Sequence, residues 1–336
     1  MSAPESLLST KVSTDEEPIE RSLRPDSLET YIGQQSIKES LRIALASSKQ
    51  RKATVDHILL YGPPGLGKTS LAYVVAREMG VAIRTTSGPA ISKAGDLAAI
   101  LTNLQEGDIL FIDEIHRLQR SVEEILYPAM EDRCIDIAIG KGPSARIVRL
   151  DLPSFTLIGA TTRAGSLSHP FRDRFGLVHR LDYYEDEELA TILERSSKLL
   201  NITISRPALL HIAQRARKTP RVANRLLRRI RDYATVHGKT SEVDLDTAKA
   251  ALDQLHIDAL GLDKIDRDIL LLIQQQFTGG PVGLDTLAAA SGEERETLED
   301  VIEPYLLRLG FLERSPRGRM ITDAARRHLG FSPQMG

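Results

Sequence analysis

The chain contains no tryptophan, a single cysteine (Cys134) and only 4% aromatic residues. One thiol excludes a disulfide framework within the chain and fits a reducing compartment. So few aromatic rings argue against a surface that works by stacking bases. No run of residues is long and apolar enough to span a bilayer as a helix. The opening MSAPESLLST, followed by Asp15, Glu16 and Glu17, lacks the basic and apolar regions of a signal peptide. A cytosolic location is the expectation. An excess of either charge is also missing, since 44 basic and 46 acidic residues leave a net charge of −2. Any nucleic-acid surface must therefore be local.

A length of 336 residues is too great for one ordinary core, and the balance of 41% hydrophobic and 27% charged residues is that of a globular protein. Residues 1–20, rich in Ser, Thr, Glu and Pro, read as a mobile tail. Residues 21–183 carry short apolar runs, Ile58–Tyr61, Val81–Arg84, Ile109–Asp113, Thr156–Ala160 and Leu177–Leu181, separated by helical stretches. Runs of this kind suit strands buried on both faces of a parallel sheet, so a doubly wound α/β domain is expected. Residues 184–258 show helical patterns only, as in Asp186–Leu200 and Arg221–Tyr233, and predict an all-α domain. Residues 259–336 change again. A helix over Lys264–Gln276 is followed by Asp285–Ala290, a Ser291-Gly292 turn and Arg295–Leu309, and then by a hairpin over Phe311–Ile321. This order predicts a winged helix, with Pro304 expected to kink or shorten its longest helix.

Gly62-Pro63-Pro64-Gly65-Leu66-Gly67-Lys68-Thr69 matches the phosphate-loop pattern in full, after a predicted strand and before a predicted helix. Gly62, Gly65 and Gly67 let backbone N–H groups close around phosphates, and the helix N-terminus adds a favourable dipole. Lys68 would reach the β- and γ-phosphates, Thr69 would hold Mg²⁺ and Ser70 would contact the α-phosphate of ATP. The apolar run Ile109–Ile112 ends in Asp113-Glu114. Asp113 would bind Mg²⁺, directly or through water, and Glu114 would activate the attacking water. Two acids at a strand end are common, but after a complete phosphate loop they indicate hydrolysis.

Within the α/β region, Ile135, Ile137 and Ile139 alternate, Gly140-Lys141-Gly142-Pro143 makes a turn, and Ile147-Val148-Arg149-Leu150 returns. This is a hairpin over residues 134–152, either docking a partner through Ile135, Ile137, Ile139, Ile147 and Val148 or packing on its own domain. In the wing, Arg314, Arg317 and Arg319 lie close together, and residues 307–336 carry an excess of four positive charges. The preceding helix is acidic except for Arg295. That layout favours phosphate contact by Arg295, Arg314, Arg317 and Arg319 over base reading by the helix.

These motifs resemble the AAA+ ATPase superfamily, and within it the RuvB family of Holliday-junction branch-migration motors. The resemblance rests on Arg24-Pro25-Asp26-Ser27-Leu28 with Tyr31-Ile32-Gly33-Gln34, on Asp113-Glu114-Ile115-His116-Arg117-Leu118 and on Gly159-Ala160-Thr161-Thr162-Arg163-Ala164-Gly165. It rests equally on Arg172-Asp173-Arg174-Phe175-Gly176, Thr219-Pro220-Arg221-Val222-Ala223-Asn224-Arg225 and Pro316-Arg317-Gly318-Arg319. It implies a P-loop AAA+ domain, an all-α lid and a C-terminal winged helix, with ATP between the first two. It implies that Thr161 or Thr162 senses the γ-phosphate, and that Arg174 enters a neighbour's site as an arginine finger. It also implies that Arg221 contacts the γ-phosphate from the lid. Leu23, Arg24, Glu131, Asp132, Arg133 and Tyr184 are carried over as further nucleotide contacts. The family has an aromatic residue where this chain has Arg133, so a backbone contact there survives and a side-chain packing role does not. The implied work is branch migration in DNA recombination and repair, by a homohexamer on duplex DNA. A RuvA-like protein on the hairpin and a RuvC-like resolvase are the implied partners. Two other readings fit a P-loop joined to a winged helix. An AAA+ initiator or loader would use ATP as a switch, and a nucleotide-controlled transcription regulator would prefer one duplex sequence.

Overall fold

The computed structural model describes residues 20, 22–139, 146–238 and 242–332. The tail expected over residues 1–20 therefore lies almost wholly outside the described residues, as does the Gly140–Pro143 turn. The chain divides into two compact units, residues 24–183 and, together with the segment up to Leu23, residues from Tyr184 onward.

The first unit runs α1 (Gln35–Arg51), β1 (Ile58–Tyr61), α2 (Lys68–Met79), β2 (Ile83–Ser87), α3 (Ala94–Leu101), β3 (Ile109–Asp113) and α4 (Arg120–Glu131). It continues with β4 (Cys134–Ile139), β5 (Arg146–Asp151), β6 (Thr156–Thr161), α5 (His169–Arg172) and β7 (Leu177–Arg180). Five strands form a sheet in the order β2-β3-β6-β1-β7. Every pairing in it is parallel. The three inner strands are the apolar ones, and β6 is buried along its whole length. Each buried Leu, Ile or Phe side chain there contributes about 1.5–3 kcal/mol. The edge strand β2 starts two residues later than the Val81–Arg84 run predicts, at Ile83, and extends through Thr85, Thr86 and Ser87. An edge strand is covered on fewer sides, so polar residues can continue the pairing with β3 where apolar patterning stops.

The hairpin forms as expected. It pairs Cys134 with Asp151 and Ile135 with Leu150, and Arg149 grips Asp136 across it with two hydrogen bonds of 2.9 and 3.0 Å. Its root differs from the expectation. Ile135 is fully buried in the main core with Leu126, Met130 and Leu152, so it is removed from the candidate docking set. Val148 is exposed, while the side chains of Ile137, Ile139 and Ile147 lie outside what is described.

The second unit opens with four helices, α6 (Asp186–Leu199), α7 (Arg206–Gln214), α8 (Pro220–Val236) and α9 (Leu245–Gln254). Their starts are chemically marked. Glu185 and Glu188 form a capping box, Thr219 and Asp244 cap with their side chains, and Pro220 occupies the first turn of α8. Next come α10 (Lys264–Gln276), α11 (Leu284–Ser291), α12 (Arg295–Thr297), α13 (Glu303–Arg308), the strands β8 (Leu312–Ser315) and β9 (Gly318–Ile321), and α14 (Asp323–His328). Leu270, Ile273, Leu298, Leu306 and Phe311 are among the residues of the core they share.

Pro304 neither ends nor simply shortens the predicted long helix. A π-helical turn, Leu298–Ile302, joins α12 to α13, and Pro304 falls in the first turn of α13. The wider turn makes room for the ring, and the missing N–H comes where the ladder is already interrupted.

Candidate functional site

The carboxyl ends of β1, β3 and β6 converge on the phosphate loop. Gly62 follows β1 with φ 139°, and its N–H donates to the Thr161 carbonyl at 3.2 Å. A Cβ at Gly62 would stand 2.7 Å from the Leu181 carbonyl oxygen, so only glycine fits. α2 then starts at Lys68, and the Lys68 ammonium donates to the carbonyls of Gly62 and Pro63 at 2.7 and 2.9 Å. Tyr31 supports the loop from the N-terminal segment, its hydroxyl lying 3.4 Å from the carbonyls of Leu66 and Gly67. Arg24 lies over the ring of Tyr73 on α2, 4.5 Å from its centroid.

The acidic pair is built on a strained turn. Asp113 accepts from the Thr69 hydroxyl at 3.3 Å and from the Glu114 N–H at 2.9 Å. A hydroxyl and one carboxylate at this separation suit Mg²⁺, which takes its remaining ligands from water and phosphate. Glu114 adopts φ 47° and ψ 45°, a left-handed conformation that costs a residue with a Cβ about 1–2 kcal/mol. The turn points its carboxylate at the sensor strand, where the Thr162 hydroxyl donates to it at 3.4 Å. Thr161, the other sensor candidate, is fully buried, and its hydroxyl lies 2.8 Å from His116 Nδ1. The same nitrogen is 3.2 Å from Glu114. Of the two threonines, Thr162 is thus the one whose hydroxyl faces the Glu114 carboxylate. His116 had no assigned role in the sequence reading. Its position in the Asp-Glu-Ile-His run was visible, but nothing in the run shows that a 3-10 turn folds it back onto β6.

Glu131, Asp132 and Arg133 are not near this chain's own phosphate loop. The Met130 carbonyl lies 3.2 Å from His57, just before β1 begins, and Arg133 hydrogen bonds to Ser154, just before β6. The three residues therefore sit at the amino edge of the sheet, whereas the phosphate loop sits at the carboxyl edge. The reason is α4, which starts after the Asp113-Glu114 turn and carries the chain back across the sheet. Arg174 is at the same amino edge, shortly before β7. It pairs with Glu131 at 3.1 Å, and its guanidinium lies 4.4 Å from the centroid of Tyr127. Burial holds the His57 imidazole below its ordinary pKa, and its ring accepts from the Leu157 N–H at 2.8 Å.

In the second unit, the Leu23 carbonyl accepts from Arg195 at 2.8 Å, and the buried Tyr184 donates its N–H to the Lys218 carbonyl at 3.1 Å. Arg221 is the second residue of α8 and is half-buried. It does not belong to a uniformly solvated basic helix, because Arg225 and Arg228 are buried.

The wing divides its arginines. Arg314 and Arg319 both bond to Glu303, at 2.8 and 3.0 Å, and Arg319 is largely covered. Burial pushes the Glu303 carboxyl up, but the bonds from Arg314 and Arg319 outweigh it and hold the group below the usual carboxylate range. Arg319 is thus engaged inside the fold, while Arg317 stands exposed in the two-residue loop between β8 and β9. Arg295 is exposed and pairs with Asp285. Glu303 closes an acidic run with Glu293, Glu294, Glu296, Glu299 and Asp300, six acids in all, and nothing in that run marks it as the buried one.

Three family models match in succession. The Holliday junction DNA helicase RuvB P-loop domain covers residues 23–181, the RuvB AAA lid domain residues 184–258, and the RuvB C-terminal winged helix domain residues 259–330. Among solved structures, the RuvB Holliday junction branch migration motor of Thermotoga maritima is 47% identical. The match covers 93% of this chain and 100% of that one, with a TM-score of 0.84. A mutant of the same Thermotoga protein matches at 48% identity over 93% of this chain and 99% of that one, with a TM-score of 0.85.

Proposed function

Because the chain belongs to the RuvB family of Holliday junction DNA helicases, ATP-driven P-loop motors of the AAA+ class, we propose that it drives branch migration as a hexameric ring on duplex DNA. The observation that carries this reading is the division of hydrolytic groups between two edges of one sheet. Lys68, Thr69, Asp113, Glu114 and Thr162 are at the carboxyl edge, and Arg174 is at the amino edge. An arginine so placed serves a second copy of the chain rather than its own phosphate loop. A contact that repeats head to tail closes into a ring when its rotation divides a full turn, and a hexamer is the proposed closure.

In this reading Gly62, Gly65 and Gly67 wrap the phosphates of ATP, Lys68 neutralises them, and Ser70 adds a hydroxyl. Thr69 and Asp113 would hold Mg²⁺, which would supply charge stabilisation to the transferring phosphate. Glu114 takes the proton of the attacking water while Thr162 orients it. Arg174 of one subunit meets the charge developing at its neighbour, with Glu131, Asp132 and Arg133 beside it on the same face. Leu23, Arg24 and Tyr184 line the nucleotide, and Arg221 reads the γ-phosphate. Arg317, with Arg314 and Arg295, meets DNA phosphates without reading sequence. Arg319 acts chiefly by holding the wing in shape. The hairpin, through Val148 and the neighbouring Ile137, Ile139 and Ile147, docks a RuvA-like junction-binding protein. The setting is recombination and repair, with a RuvC-like resolvase acting on the same junction.

The test is dissociation of a synthetic four-way DNA junction with ATP, with and without the RuvA-like partner. Strong stimulation by the partner, abolished by Lys68→Ala, is the expected result. ATP hydrolysis with no junction movement under any condition would return the chain to the initiator or loader class.

A further inference from the structure

The residues that meet nucleotide and DNA in the proposed mechanism are joined, inside the second unit, by one buried cation. Arg217 lies four residues before Arg221, in the loop that leads to Thr219 and α8. Its side chain is 7% exposed. Its Nε donates to the Gly261 carbonyl at 2.9 Å, its guanidinium pairs with the fully buried Asp266, and Asp263 is 3.8 Å away. The guanidinium also lies 4.9 Å from the centroid of the Tyr305 ring, and the Arg217 carbonyl accepts from Arg308 at 3.4 Å.

The contacts fall on two separate parts of the winged helix. Asp263 and Asp266 are the two halves of the capping box that starts α10. Tyr305 and Arg308 are on α13, which also carries Glu303, the partner of Arg314 and Arg319 in the wing. On the other side, the Lys218 carbonyl accepts from the Tyr184 N–H at 3.1 Å, and the Lys218 ammonium is 2.8 Å from Asp186. Arg217 and Lys218 are both held at positive φ, 52° and 59°, so the loop has one conformation fixed by its surroundings. The backbones also close up here, since a Cβ at Gly261 would stand 2.3 Å from the Arg215 carbonyl oxygen.

We propose that Arg217 is a positioning residue that clamps the loop leading into α8, and so to Arg221, onto α10 and α13 of the winged-helix core. The helical domain and the wing then move as one lever when nucleotide displaces Arg221. This rests on the proposed roles of Arg221 and of the wing. The physical case is one of direction. A buried ion pair adds little stability over a well-packed apolar pair, but a planar guanidinium held by two acceptors of different elements, with Asp263 nearby, has a strongly preferred orientation. Contacts running from Tyr184 through Lys218, Arg217, Tyr305 and Glu303 to the wing arginines give a path for the displacement.

The test uses two variants of the full chain that keep the buried charge balanced. Arg217→Lys keeps the cation but loses the fork, and Arg217→Met with Asp266→Leu replaces the pair by apolar groups. Melting temperature selects the folded ones. The first readout is independent of DNA movement. Spin labels on Val236→Cys and Glu313→Cys should give one narrow distance distribution in the parent chain and one broader by several ångström in the folded variants. The second is ATP consumed per junction resolved with the RuvA-like partner, which should rise at least tenfold while hydrolysis stays within twofold. Unchanged label distances overturn the clamp, and so do hydrolysis and movement that fall in proportion. A parent chain that moves no junctions counts against the motor reading alone, because the label distances still decide the clamp.

Discussion

Along the carboxyl edge of the central sheet the chain gathers Lys68, Thr69, Asp113, Glu114 and Thr162. Along the amino edge it gathers Glu131, Arg133 and Arg174. The same strands run to both edges, yet only one has what phosphate binding needs. The carboxyl edge has backbone donors in glycine turns, a helix N-terminus, and acids placed by tight turns just past strand ends. The amino edge has helix ends of the opposite polarity and an arginine paired with a carboxylate and an aromatic ring. Parallel strands give every chain two unlike edges, so a site completed by an amino-edge residue calls for another copy of the chain.

The largest effect should come from breaking that division. Arg174→Ala is expected to bind ATP normally and to lose roughly a thousandfold or more in hydrolysis, the scale of an arginine finger. Mixing it with Lys68→Ala protein should restore part of the turnover, because each variant keeps the edge the other lacks. Turnover by Arg174→Ala alone within tenfold of the parent would abolish the division of labour. A smaller effect separates the two threonines. Thr162→Val removes a hydroxyl that faces Glu114 and should cost about tenfold in kcat, the scale of one hydrogen bond. Thr161→Val removes a fully buried hydroxyl that accepts from the Arg163 N–H and lies against His116, and should lower the melting temperature. The reverse pattern in steady-state and melting assays would assign the sensor to Thr161.

The smallest effect compares two buried carboxylates of the second unit. Burial pushes Asp266 up to about 7 from 3.8, with Arg217 pulling it down and Asp263 pushing it further up. A raised pKa means that the folded state holds the proton more tightly. This group's contribution is therefore full below pH 3.8 and is lost as pH rises through about 7. Glu303, held low by Arg314 and Arg319, has the opposite sign, and its contribution is lost as pH falls through its depressed value. Melting curves of Asp266→Asn should therefore show a smaller fall in stability across that window than the parent. An unchanged pH profile would remove Asp266 as its source.

The features legible in the sequence are those set by neighbours along the chain. The phosphate loop, the strand ending in Asp113-Glu114 and the hairpin over residues 134–152 all depend on local patterns of period two or on turn residues. Other features depended on which faces met. Ile135 alternates with polar Asp136 as a hairpin strand residue would, but it falls under α4 and into the core. Arg225 and Arg228 look like solvated cations, yet they are buried. Glu303 sits among six acids but is the one turned inward.

By itself, the sequence determined the groups available to this protein: a glycine-rich phosphate loop, a pair of acids at a strand end, and basic residues gathered in a wing. Local backbone preferences and residue types suffice for that. The tertiary structure decided which edge of the sheet each group occupies, which of two adjacent threonines faces Glu114, and which arginines are committed inside the fold. Those outcomes follow from long-range packing, which brings residues dozens of positions apart to one place and turns identical side chains toward solvent or core.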